Sequence, residues 1–153
     1  MQAERAVPYT YRSDARVPAF PDDRPIIIFD GLCVLCSRFV AFVLRRDKKR
    51  VFRLLAAQSP LGEALYRHYG LRAPDYETYL LLADGEVREK SDAALRIARL
   101  LGFPWSIAGV FSIVPRGGRD AIYDFVARNR LRWFGARQSC YAPEAADAER
   151  FLS

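Results

Sequence analysis

Two cysteines three positions apart, Cys33 and Cys36 in LCVLC, are the residues of this sequence best suited to do chemistry. Cysteines at that spacing close a local disulfide when the first stands at the start of a helix. The first turn of a helix leaves backbone N–H groups without intrahelical acceptors. Those donors and the helix dipole stabilise an anion. A thiolate is such an anion, and its pKa falls from ~8.5 to roughly 3.5–7.5 in such settings. The order here is an apolar run IIIF (26–29), the turn residues Asp30 and Gly31, the cysteine pair, then an amphipathic stretch to about Arg46. That context favours a redox pair over half of a zinc site. Cys33 is expected to be the exposed, attacking thiol and Cys36, one turn deeper, the resolving thiol. Gly31, Leu32, Val34 and Leu35 form the loop around them.

Asp30 lies three residues before Cys33. It either exchanges a proton with Cys36 or hydrogen-bonds the loop backbone as a turn residue. Its charge near the thiols would oppose thiolate formation. Arg38 either offsets negative charge near the pair or is a solvated surface arginine. A structural zinc site needs about four ligands. Only Cys140 and His68 remain as soft ligands and neither has paired spacing, so no metal and no other cofactor is expected. His68 stands near a helix end, where a cation is favourable without catalysis. Cys140 is either a third redox thiol or a lone cysteine. Two inert cysteines filling a helix start remain the plain alternative to the redox pair.

The elements that must position the pair follow from local patterns. IIIF is a β-branched, apolar run suited to a buried strand. VFRLL (51–55) reads as a second strand. Pro60 suits the first turn of a helix that closes near Gly70. TYLLLADGEVREK (78–90) reads as a hairpin turning at Asp84–Gly85. Ser91 is the expected cap of a helix ending at Gly102. The order β-α-β-α-β-β-α, with a right-handed crossover between the first two strands, gives an α/β, thioredoxin-like fold. It comprises a mixed four-stranded sheet flanked by helices, with a C-terminal helical extension. Tyr76, Glu77 and Thr78, at the start of the third strand, are expected beside the active loop as a substrate groove.

The expected organisation is a flexible N-terminal arm over 1–24, a core over 25–102 and a helical extension over 103–153 packed on that core. Tyr9, Tyr11 and Phe20 give the arm residues with which to dock. Residues 103–114, apolar nearly all round, are expected to be buried. In the helix over 118–134, Ile122, Phe125 and Val126 are expected on the buried side and Arg128, Arg130 and Arg132 among the polar positions.

The chain has 153 residues, 51% of them apolar, which suits one domain with a real core. Three cysteines are too few and too uneven for a disulfide scaffold. With no signal-peptide pattern at the start, they point to a reducing compartment, the cytoplasm. The net charge of +6 is scattered apart from RRDKKR at 45–50, and no stacking aromatic pattern accompanies it, so nucleic acid is not expected. The apolar stretch 100–115 is shorter than the ~20 residues of a spanning helix and is interrupted by Pro104. The expected partners are a protein or small-molecule thiol or disulfide and an electron donor that the sequence does not identify. A non-catalytic, thioredoxin-like protein-binding module and a metal-binding thiol site are the competing readings.

Asp30, Cys33 and Cys36 within IIIFDGLCVLCSRFV form a D-x-x-C-x-x-C pattern that resembles the DCC family of predicted thiol–disulfide oxidoreductases. The likeness continues through FRLLAAQSPLG, LLLADGEVREKSDAALRIARLLG and VPRGGRDAIYDFVARNRLRWFG to Cys140, roughly residues 25–141. It implies a thioredoxin-like fold and dithiol chemistry. Against thioredoxin itself, Glu77 stands where a cis-proline would face the thiols. A non-proline cis bond costs ~2.5–4 kcal/mol, so a trans peptide is expected there. Thioredoxin's buried acid corresponds to Ile27, so Asp30 is not its counterpart.

Overall fold

The computed structural model describes residues 8–70, 80–102, 104–135 and 145–152. The expected groove residues Tyr76, Glu77 and Thr78, and Cys140, lie outside the described residues.

The sheet is built on β1 (Ile26–Phe29). All four of its side chains are buried, and they alternate between the two faces of the sheet as strand geometry demands. Ile26 and Ile28 enter one core with Leu55, Leu65 and Tyr66. Ile27 and Phe29 enter the other with Val40, Val43, Leu54 and Ile97. Each such burial contributes roughly 1.5–3 kcal/mol, which makes β1 the mechanical centre of the molecule.

Helix α1 (Val34–Arg46) follows β1 and leads to β2 (Arg53–Ala56), which pairs parallel with β1. Helix α2 (Pro60–His68) is capped by the Ser59 hydroxyl, which accepts from Gly62 N–H at 3.1 Å, and carries Pro60 in its first turn. β3 (Leu80–Ala83) lies antiparallel to β1, and β4 (Glu86–Glu89) antiparallel to β3. Their turn has positive φ at both Asp84 (53°) and Gly85 (76°), the geometry a two-residue hairpin favours. Helix α3 (Lys90–Leu101) begins two residues earlier than expected. Glu89, not Ser91, is its N-cap, and the Glu89 side chain makes no capping bond. Gly102 ends α3 with φ 82°.

The chain then forms a 3₁₀ helix (Trp105–Ile113), helix α4 (Arg116–Phe134), a second 3₁₀ helix (Ala145–Arg150) and β5 (Phe151–Leu152). β5 joins β2 in parallel, so the thioredoxin-like sheet has five strands where four were expected, in the order β4-β3-β1-β2-β5. The fifth is only two residues long, too short to show a strand pattern in sequence.

Residues 8–22 lie against the α2 side of the sheet. Tyr9 N–H donates to the Gly85 carbonyl at 2.9 Å, and Tyr11 is buried with its hydroxyl on Asp22 at 2.8 Å. His68, buried at the end of α2, is 2.8 Å from both the Thr10 hydroxyl and the Asp14 carboxylate. Its contacts join this segment to α2.

Two expectations for the C-terminal third are corrected. The stretch expected to be buried is not: Ile107, Val110, Phe111 and Ile113 of the 3₁₀ helix are exposed. In α4, Ile122 and Phe125 are exposed and Val126 is half-buried, while Ala127 and Arg130 are buried. The reason is a polar partner. Arg130 turns inward to a buried carboxylate, and that pairing sets the rotation of the helix.

Candidate active site

The parallel pair β1–β2 ends at Phe29 and Ala56, and the next residues of both strands meet there. Asp30 is buried at this carboxyl end. Its Oδ1 accepts from Leu32 N–H at 2.9 Å and from Gln58 Nε2 at 2.6 Å. Gln58 in turn accepts from Gly31 N–H at 3.0 Å. The Asp30 carbonyl accepts from Cys33 N–H at 3.3 Å. One carboxylate and one carboxamide thus fold residues 30–33 into the turn that delivers Cys33 to the start of α1.

Cys33 is the N-cap of α1, with extended backbone (φ −90°, ψ 124°). Its Sγ accepts from Cys36 N–H at 3.3 Å, the bond a serine or aspartate oxygen would make at such a cap. Neither thiol is in a disulfide. Cys33 is fully enclosed (0% exposed), whereas Cys36 is half-buried. Cys33 was expected to be the exposed member, and the accessibility runs the other way. The chain just past α4 reaches this helix start, where the Gly135 carbonyl accepts from Val34 N–H at 3.3 Å.

Arg130 reaches the same place from α4. Its Nη2 donates to Asp30 Oδ2 at 3.0 Å and its Nη1 to the Ala127 carbonyl at 3.0 Å, with both ion-pair partners buried. Sequence reasoning missed Arg130 by assigning it to the polar side of α4. An arginine on the inward side of a helix, 100 positions from its acid, leaves no local signal. Gln58 was missed as well, although its place directly after β2 puts it beside the strand-end turn of β1. Arg38 is exposed, in keeping with a solvated surface residue. Gly31 is buried, and Leu32, Val34 and Leu35 are half-buried around the pair.

The electrostatics separate the thiols. Hydrogen bonding from the Cys36 thiol, aided by the Cys36 N–H and the Arg130 charge, holds Cys33 down at about 6, against burial and the Asp30 charge. Cys36 is pushed up by its hydrogen bond to Cys33, by burial and by the negative charge of Cys33. The two environments therefore favour the charge on Cys33 and the proton on Cys36. Burial works against the charge on Arg130, but Asp30 and the thiols outweigh it and its pKa is raised. Among the described residues, no group of three or more histidine, cysteine or acidic side chains is arranged to hold a metal.

The sequence model of the DCC1-like thiol-disulfide oxidoreductases matches residues 27–136, from β1 to just beyond α4. The chain belongs to this family. It is also 35% identical over 127 residues to the uncharacterized protein YuxK of Bacillus subtilis (strain 168), covering 83% of this chain and 93% of YuxK. A second relative is the DCC family protein At1g52590, chloroplastic, of Arabidopsis thaliana. It is 36% identical over 120 residues, 78% of this chain and 70% of the plant protein. No solved structure matches the chain. The DCC1-like match takes in α4, so the element that carries Arg130 to Asp30 lies within the family's extent.

Proposed function

We propose that this protein is a dithiol–disulfide oxidoreductase in which Cys33 attacks and Cys36 resolves. The observation that carries the reading is Cys33 at the N-cap of α1, where Cys36 N–H reaches its sulfur at 3.3 Å, an arrangement that lowers the Cys33 pKa to about 6. The Cys33 thiolate attacks one sulfur of a substrate disulfide. A Cys33–substrate disulfide forms, the substrate S–S bond breaks, and the departing thiolate takes a proton. That step removes the charge of Cys33, and with it two of the causes that keep Cys36 protonated. Cys36 then loses its proton and attacks Cys33 Sγ, releasing the second substrate thiol. The substrate gains two electrons and the pair becomes a disulfide; in reverse the cycle oxidises a dithiol.

Asp30 suits a positioning role in this cycle. Both its oxygens are engaged, by Leu32, Gln58 and Arg130, and its carbonyl accepts from Cys33 N–H. The substrate is a protein or small-molecule thiol or disulfide, and the odd cysteine count supports a reducing compartment such as the cytoplasm. A glutathione redox titration read by thiol-alkylation mass shift tests the reading. A reversible two-electron transition is expected. Cys36→Ser should accumulate mixed disulfides and Cys33→Ser should form none; the opposite pattern reverses the roles.

One observation favours the second reading, a thioredoxin-like module that binds a partner without turnover: Cys33 is enclosed. Under that reading both thiols stay unreactive towards glutathione disulfide until the protein unfolds.

A further inference from the structure

The nine exposed large hydrophobic side chains given by the described residues all fall between Ile107 and Phe134. Ile113 is 81% exposed, Phe111 60% and Trp133 50%. They occupy the 3₁₀ helix Trp105–Ile113, its C-cap Val114 and the outer side of α4, and both helices pack on α3. Aromatic side chains carry roughly 150–250 Å² each. Phe111, Phe125, Trp133 and Phe134, each about half exposed, therefore present roughly 300–500 Å² of aromatic surface between them.

The fully exposed charge on this surface is basic. The exposed charged residues between 104 and 135 are Arg116, Arg128 and Arg132; Arg116 pairs with Asp92 of α3, and Asp120 and Asp124 are half-buried. The basic loop continues the surface at the other end. Exposed Lys48 and Lys49 line a cleft with Pro104 and Trp105, and the Arg46 guanidinium lies 5.3 Å from the centre of the Trp105 ring.

We propose that this face seats the protein on an anionic phospholipid surface. Exposed Phe, Trp, Ile and Val enter the headgroup–acyl boundary while arginine and lysine meet the phosphates, the pattern of a segment that lies in the interface plane. Among the described residues no helix is long and apolar enough to cross a membrane, so the contact is with the surface. A second copy fits less well. A two-fold contact would bring two copies of the same basic face together, on chains that each carry a net charge of +6 and repel one another.

The test is sedimentation of the full chain with vesicles of phosphatidylcholine alone and of phosphatidylcholine mixed with phosphatidylserine. Binding is expected to the mixed vesicles only, with a blue shift of tryptophan emission, and it should weaken as salt is raised. Ile113→Asp should abolish it. Each of Arg128→Gln and Arg132→Gln should weaken it on the order of fivefold. These side chains are solvent-exposed, so unchanged circular dichroism is expected for all three variants. No sedimentation with either vesicle overturns the proposal, as does equal binding to neutral vesicles or binding that Ile113→Asp leaves intact. A concentration-dependent dimer abolished by Ile113→Asp would make the face a self-interface, and capture of acidic proteins without vesicle binding would make it a protein site; both overturn it. The glutathione titration of Ile113→Asp should match the parent, so failure of the thiol cycle and failure of membrane binding are read separately.

Discussion

Cys33 takes the part usually played by an N-cap oxygen. Sulfur is a poor acceptor while protonated and a better one as thiolate, so the cap bond to Cys36 N–H favours the charged form. The expected outcome is a thiolate absorbance titration of the reduced protein inflecting near pH 6. Cys36→Ala removes the largest lowering cause and should move the inflection up; Arg130→Met removes a smaller one and should move it up by less. A larger shift from Arg130→Met would mean that the arginine, not the neighbouring thiol, sets the acidity. The stability sign follows. The folded-state pKa of Cys33 lies below its unfolded value, so its contribution is fully present above the unfolded pKa and lost as pH falls through about 6. Urea melts at pH 8 and pH 5 should therefore show a smaller loss in Cys33→Ser than in the parent.

At the scale of elements, what was legible in the sequence was local. Four consecutive β-branched or aromatic residues make β1, Asp84–Gly85 makes the hairpin, and Pro60 starts α2, each readable within a few positions. The Ser59 cap predicts a loss of ~1 kcal/mol for Ser59→Ala. At Gly62 a Cβ would collide with the Ala56 carbonyl oxygen and meet the Ala57 backbone at 2.9 Å. Gly62→Ala should therefore cost more, roughly 1–3 kcal/mol, as overpacking does. Urea unfolding of both variants checks the order; a milder Gly62→Ala would mean that α2 moves off β2 without strain. What was not legible was long-range. The inward face of α4 is chosen by an acid at the end of β1, and the segment 105–113 is apolar all round, so no periodicity could say which side meets the body. The thiols and their acid could be read as a motif. Their closure under Gly135, Gln58 and Arg130 could not, because those residues come from elsewhere in the chain.

The molecule as a whole repeats one device at opposite ends of the parallel strands. At the carboxyl end, Asp30 organises the turn into α1 and is held by Arg130 of α4. At the amino end, Asp47 accepts from Val51 N–H and Phe52 N–H, both at 2.9 Å, and is held by Arg150 beside β5. Each arginine is buried and each arrives from the C-terminal third, so both pairs fasten that third to the core. Removing one partner of a buried pair leaves an uncompensated charge and costs ~3–5 kcal/mol. Arg130→Met and Arg150→Met should therefore lower stability to a similar degree in urea unfolding. Only the Asp30–Arg130 pair lies beside the thiols. Arg130→Met should raise the Cys33 inflection, and Arg150→Met should leave it near 6. Ligands of open α/β sheets bind outside the carboxyl ends of the strands, the end where Cys33 and Cys36 lie. Equal shifts from both arginines would mean that global loosening, not the local charge, sets Cys33. A shift confined to Arg130→Met would make that pair part of the thiol chemistry and the Arg150 pair a fastening alone.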